Sequence, residues 1–485
     1  MRVLYIDIDT LRPDHLGCYG YHRNTSPNID RVARNAVRFT NCYASDTPCL
    51  PSRMALLTGR FGIHNGVVGH GGSAAELRLE GPSRGFSSRV ARESLFAQVR
   101  RAGLHTVTLS AFAERHSAFA WYAGFNEHAM VPKRGLEGAD EVCALASNWL
   151  ARCGTRSDWF LHLHLWDPHT PYRAPEAFGE PFAQEPVPHW LTEEVRASHY
   201  RGYGPHSARE AVGFSTDYPW GNYPRQPREL PDMDSVRSMF DGYDTGIRFA
   251  DEHLGRLFNQ MADQNILDDA VIIITSDHGE NLGELNVYCD HHTADQHTAN
   301  VPMIVRFPGH GARVDSGLYY QIDIAATLLR LLGGNVPEGW DARESAGAFA
   351  AGASAGRDHL VLSQAAWTCQ RAVRFEDYLW LRTYHDGYHG YPESMLFDLV
   401  VDPHEQQNLA PQQPDTVRRA QSLLDAWRAD MLPEGSGLED PLDVVMREGG
   451  PFHVRGQLPA YLARLRATGR AQAAEALARI HHQGT

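Results

Sequence analysis

Arg2-Val3-Leu4-Tyr5-Ile6-Asp7-Ile8-Asp9 and Val271-Ile272-Ile273-Ile274-Thr275-Ser276-Asp277-His278 decide the fold. Each is a short apolar run that ends in an acid. Runs of this kind are strands buried on both faces inside a parallel sheet. Thr106–Leu109, Phe160–Leu165 and Met303–Phe307 extend the set. Helical patterns alternate with them at Pro27–Val37, Ala139–Arg152, Ser235–Met261 and Gln321–Leu332. The alternation predicts an α/β layer fold around a mainly parallel sheet. Arg173–Pro231 lacks periodicity and is rich in Pro, Gly, His, Tyr and Trp. It predicts a long ordered loop lining a pocket. Ala346–Gly356 reads as a flexible linker. Beyond it, shorter strands are expected at Val361–Leu362, Ala372–Phe375, Tyr378–Thr383 and Met395–Asp398, and helix over Leu458–His482.

The chain has 485 residues, 42% of them hydrophobic, enough for a large core and a second unit. The expected division is a catalytic domain over 1–355 and a C-terminal subdomain over 356–485. The net charge of −14 and the absence of a long basic run argue against nucleic acid as a partner. Seven scattered cysteines form neither a disulfide framework nor a zinc-type pair spacing. The chain opens directly on a strand, and no apolar run is long enough to span a membrane. The expectation is a soluble cytoplasmic protein, with a trimmed precursor as the alternative. The Ala-rich terminal helix either joins subunits of a homo-oligomer or packs on the core.

Ligand sites in open α/β sheets lie beyond the carboxyl ends of strands. Asp9 and Asp277 stand at two such ends, where carboxylates hold a hard divalent cation. Asp7 leaves the strand on the same face as Asp9 and falls beneath the ion. The stretch Cys49-Leu50-Pro51-Ser52-Arg53-Met54-Ala55-Leu56-Leu57-Thr58-Gly59-Arg60 reads as a short helix. Pro51 suits its first turn and Gly59 its end. Cys49 at the helix N-terminus, one turn from Arg53, predicts an electropositive place and a lowered thiol pKa.

That stretch resembles the signature of type I sulfatases: Cys or Ser, any residue, Pro-Ser-Arg, then Leu-Thr-Gly. The resemblance extends to Asp9-Thr10-Leu11-Arg12-Pro13-Asp14, Thr25-Ser26-Pro27-Asn28, Asp277-His278-Gly279-Glu280, Leu396-Phe397-Asp398 and Asp402-Pro403-His404-Glu405. It implies the alkaline phosphatase superfamily fold. That fold is a large α/β/α sandwich with a mainly parallel mixed sheet, followed by a smaller α+β unit with an antiparallel sheet. It also implies that a formylglycine-generating enzyme oxidises Cys49 to formylglycine. One hydroxyl of the hydrated aldehyde attacks sulfur, and loss of the other proton expels sulfate. By the same resemblance, Asp9, Asp277, His278 and formylglycine at 49 contact calcium, with Arg53 beside them. Many relatives carry Asp-Asp where this chain has Asp9-Thr10, so Thr10 joins Asp7 around the site rather than in it. The imidazole at 278 keeps Mg²⁺ and Mn²⁺ open beside Ca²⁺.

His169, in Pro168-His169-Thr170-Pro171-Tyr172, matches a family histidine that points at the sulfate. His291 falls where many relatives place a lysine that assists the leaving oxygen, with His292 as its competitor. Arg115 and His116 stand where a Lys-Trp-His segment is usual, and there they would stabilise transferred charge. His64 and Asn65 either touch the substrate or serve an Asn-Gly turn. His162 and His164 lie inside a strand and read as core or supporting groups. The function implied is hydrolysis of a small anionic sulfate ester, with sulfated carbohydrate preferred to aryl sulfate. Trp190, Tyr200, Tyr203, Tyr218, Trp220 and Tyr223 would stack on that substrate, and Trp367, Tyr384, His385, Tyr388 and His389 would close the pocket. The alternatives are a phosphonate monoester or phosphodiester hydrolase of the same superfamily, and a sulfamate hydrolase.

Overall fold

The computed structural model describes residues 1–80 and 88–482. An eight-stranded sheet runs in the order Arg313–Tyr320, Val37–Tyr43, Asn300–Arg306, Ala270–Thr275, Arg2–Ile8, Trp159–Leu165, His105–Leu109, Glu127–Ala129. Asn300–Arg306 is antiparallel to both its neighbours, and every other pair is parallel. Successive side chains of a strand point to opposite faces. Leu4, Ile6 and Ile8 therefore enter one core, under the helices Ala139–Cys153 and Met233–Asp263. Val3 and Tyr5 enter the other, under Cys49–Thr58, Leu95–Arg101 and Gln321–Leu331. The result is the expected α/β/α sandwich.

The second sheet is antiparallel over Ser394–Asp398, Tyr378–His385, Cys369–Phe375 and His359–Gln364. Its fifth strand is Asp46–Thr47, added in parallel from the segment just before Cys49. The C-terminal sheet thus touches the chain two residues from the signature cysteine.

Several local expectations need correction. The first helix ends at Ala33, because Val37–Tyr43 alternates inward and outward and pairs as a strand. Ala346–Gly356 contains a helix, Ala346–Ala351, whose Phe349 is buried against Phe307. Arg173–Pro231 contains the helix Glu193–Arg201, capped by the Thr192 hydroxyl. Leu458–His482 is two helices, Leu458–Ala467 and Ala471–His482, parted at Gly469 with φ +79°. No helix among the described residues is long and apolar enough to cross a membrane.

Gly59 closes the Cys49–Thr58 helix at φ +65°, and a Cβ there would meet Trp340 Cδ2 at 2.0 Å. Gly59→Ala combines left-handed strain with overpacking against a buried indole. It is expected to lower unfolding free energy by about 2–4 kcal/mol in a urea titration.

Candidate active site

Four ligand-type groups converge at the carboxyl ends of the two deciding strands. One atom each from Asp9, Cys49, Asp277 and His278 lies within 4.8 Å of the others, and all four residues are buried. The Cys49–Thr58 helix is pinned to the second strand by the Ser52 hydroxyl, which donates to Asp277 O at 2.6 Å. His278 Nε2 stands 3.1 Å from Cys49 Sγ.

Arg53 organises the acids. Its guanidinium donates to Asp7 Oδ2 at 2.8 Å and Asp9 Oδ2 at 3.1 Å, and it pairs with Asp277 Oδ2. Phe112 and Trp166 pack on its faces. Asp7 lies beneath Asp9 as expected, facing His164 across the strand pairing on one side. His164 contributes more than core packing. Its Nε2 sits 3.0 Å from Asp9 Oδ2, while its Nδ1 is 2.9 Å from the Ser110 hydroxyl.

Burial opposes ionisation of Asp9, yet Arg53 and the His164 hydrogen bond outweigh it and hold the carboxyl well below its usual range. Asp277 goes the other way. Despite its close pairing with Arg53, burial and the charge of Asp9 carry it to about 7. One guanidinium does not neutralise three buried carboxylates, and a divalent cation would supply the missing charge. The donor set fits such an ion. Among the described residues, Asp9 Oδ1 and Asp277 Oδ1 are buried without a hydrogen-bond partner, as is Thr10 Oγ1, on a residue held at φ +57°.

The thiol expectation is reversed. Burial first, then Asp9 and Asp277, push the Cys49 thiol well above its usual range. Helix position and Arg53 are local signals, and the acids that overrule them come from distant strands. Without an added cation, Cys49 is a poor thiolate.

The flanking bases line one wall. The His291 ring lies 4.3 Å from that of His278, and His169 lies 5.7 Å from His291. Burial lowers His169 to about 3 and takes His291 well below the ordinary imidazole range. Both are neutral at pH 7, able to donate one N–H and accept at the other nitrogen. Arg115 stacks on Trp166 at 4.9 Å and donates to Arg134 O, close enough for its charge to lower the pKa of His169. His116 lies near the same wall, with Nε2 buried and unpaired.

His64 and Asn65 do other work. His64 Nδ1 binds Asp341 at 2.8 Å and Nε2 reaches Met431 O at 2.8 Å, tying the helix to the C-terminal part. Asn65 Nδ2 donates to Arg60 O and Oδ1 accepts from Val67 N, which is the turn role. His292 turns to Asp290, His389 and Trp367 rather than to Cys49. Trp367 packs against His292 and His453, Trp190 lies on His404, and Tyr218, Trp220 and Tyr223 cluster together. The aromatics are therefore largely occupied with one another.

Sequence reasoning assigned no role to Glu280 or Arg173. Glu280 Oε2 lies 3.3 Å from His291 Nδ1. Burial, then Asp290 and Asp9, raise its pKa well above the usual range, so it stays neutral while orienting that imidazole. Arg173 donates to His169 O at 2.9 Å and fixes the loop. Their only sequence signal is adjacency, to Asp277-His278 and to Pro171-Tyr172. A cavity of about 510 Å³ opens beside Leu50, His70 and His116, with Arg60, Arg78 and Arg89 around it.

The sulfatase family model matches residues 2–334. An ulvan-active sulfatase of Formosa agariphila is 25% identical over 426 residues, covering 84% of this chain and 76% of that protein. A solved structure in complex with its substrate D-glucosamine-2-N,6-O-disulfate superimposes with TM-score 0.71 at 18% identity, covering 90% of this chain and 99% of that one. The phosphonate monoester hydrolase of Agrobacterium radiobacter gives TM-score 0.68 at 20% identity, covering 89% and 96%. Both structures share the fold.

Proposed function

Because the chain belongs to the sulfatase family, we propose that it cleaves a sulfate ester with formylglycine at position 49 and a divalent cation held by Asp9, Asp277 and His278. The carrying observation is the convergence of those four residues with two buried, unpartnered carboxylate oxygens. When bound, the cation polarises the sulfate oxygens, and the hydrated formylglycine offers the attacking hydroxyl. The chain's own groups do the rest. Arg53 keeps Asp7 and Asp9 ionised and in place. His278 donates Nδ1–H to the Gly279 carbonyl, which turns the Nε2 lone pair towards position 49 and the cation. His291, held by Glu280, presents an N–H to the anion, whereas His169 donates Nδ1–H to the Thr170 carbonyl and offers its Nε2 as a proton acceptor. On this reading His291 would pass a proton to the leaving oxygen, replenished from the neutral Glu280 beside its Nδ1. Arg115 adds positive charge at the same wall.

A sulfated carbohydrate is the favoured substrate class. The ulvan-active relative and the disulfated glucosamine complex support it, and so does the arginine-flanked cavity next to Leu50. The test is parallel hydrolysis of aryl sulfate, sulfated sugar, phosphodiester and phosphonate monoester probes. The protein is co-produced with a formylglycine-generating system, and the Cys49 peptide is followed by mass. Sulfate turnover should track conversion of Cys49 and fall at least about 10³-fold in Cys49→Ala. Faster turnover of the phosphorus probes, with sulfate slow, would overturn the assignment.

A further inference from the structure

We propose that His206, Asp290 and His292 form a second metal site, for a divalent transition ion of the zinc class, distinct from the Asp9–Asp277 site. The three residues come from different parts of the chain. His206 lies in the segment after the Glu193–Arg201 helix, Asp290 ends the short strand Tyr288–Asp290, and His292 follows it. All are buried, and one ligand atom from each lies within 4.8 Å of the others.

The spacing matches an ion rather than a hydrogen-bonded relay. His206 Nε2 lies 3.2 Å from Asp290 Oδ2 and His292 Nε2 lies 3.6 Å from Asp290 Oδ1. Bonds of about 2.0–2.2 Å in tetrahedral geometry place neighbouring ligand atoms roughly 3.3–3.6 Å apart, and each imidazole approaches that spacing against its own oxygen of Asp290. Neither contact is aligned as a hydrogen bond, and among the described residues His292 Nε2 is buried without a geometric hydrogen-bond partner. Two imidazoles and one carboxylate suit zinc, with the fourth position left to water.

Supporting contacts orient the ligands as metal sites require. His292 Nδ1 is 3.0 Å from His389 Nε2, and donation from Nδ1 leaves the Nε2 lone pair free. Asp290 Oδ1 also accepts from the His291 backbone at 2.8 Å. His206 is held at φ +60°, an uncommon conformation for a non-glycine residue, while its carbonyl accepts from Tyr288 N at 2.7 Å. The set shares no residue with the group around Cys49. The ion would clamp the long loop to the hairpin and, through His389, to the C-terminal part.

The experiment uses full-length Cys49→Ala/Asp277→Asn protein, which lacks two ligands of the first site, in excess Ca²⁺. Zinc is added, the protein is desalted, and retained metal is measured by mass spectrometry. X-ray absorption at the zinc edge then reads the ligands. One zinc per chain with two imidazole ligands is expected. His206→Gln and His292→Gln in the same background should weaken zinc binding at least about 10-fold, and His389→Ala by about 10-fold through ligand orientation. No retained zinc, or a zinc shell without two imidazoles, would overturn the site. That readout needs no ligand variant to fold. Unchanged affinity in folded His206→Gln would overturn it equally.

Discussion

Arg53→Ala is expected to lower the unfolding free energy of cation-free protein by about 3–5 kcal/mol, the cost of stripping one partner from a buried ion network. Arg53 is fully buried and is the one guanidinium shared by Asp7, Asp9 and Asp277. Its loss leaves three buried carboxylates with only neighbouring imidazoles to face them, where they must either protonate or recruit a cation. Calcium should therefore restore more stability to Arg53→Ala than to the wild type, since it replaces charge that the wild type already supplies. Arg53→Lys keeps one charge but not the fork that reaches three acids, and should fall between. Urea titrations in chelator and in calcium read all of this. A loss under 1 kcal/mol in chelator would show that Arg53 does not hold these acids.

The second large effect is acid lability. Burial holds His199, His297, His385 and His453 near 4. Each binds its proton near 6.5 once unfolded, so the unfolded chain takes up more protons as pH falls below about 6.5. Their contribution is complete above that pH and is lost as pH falls towards 4, by about 1–2 kcal/mol each at pH 5. Buried acids oppose this. Burial raises Asp46 and Asp251 to about 6 and Asp167 to about 7, and these regain stability as they protonate. Over these groups the imidazoles prevail narrowly, giving a net loss of about 1–2 kcal/mol between pH 7 and pH 5. Urea midpoints at the two pH values measure it. A flat or rising midpoint towards pH 5 would mean these imidazoles are not buried in the neutral form.

The sheet was legible because its central strands are apolar on both faces, and nothing but burial between layers suits Val271–Thr275. Val37–Tyr43 was not, because its alternating pattern continues directly from a helix. Cys49, Asp9 and Asp277 were legible because strand ends and a helix N-terminus are local features, His278 entered through the family resemblance, and the structure brings the four together. What stayed hidden depends on partners far along the chain. His64 follows the signature helix and looks like a substrate group until Asp341 claims it. The thiol of Cys49 looks activated until acids from two other strands close around it. Glu280 gains meaning only when His291 folds back beside it.

The Asp46–Thr47 strand places a clock on the site. Thr47 Oγ1 donates to the carbonyl of Ser363, 316 residues later. At about 5–20 residues per second, roughly 15–60 s of synthesis separate the two. During that interval the neighbour of the cysteine segment does not exist, and Cys49 remains within reach of an enzyme. In the folded chain, where the C-terminal sheet has paired with Asp46–Thr47, Cys49 is 2% exposed. Oxidation of its side chain by another protein is therefore expected before the last quarter of the chain has docked. Slowing translation after residue 60 would raise the converted fraction, and a fast-refolded chain would carry the unconverted thiol for good.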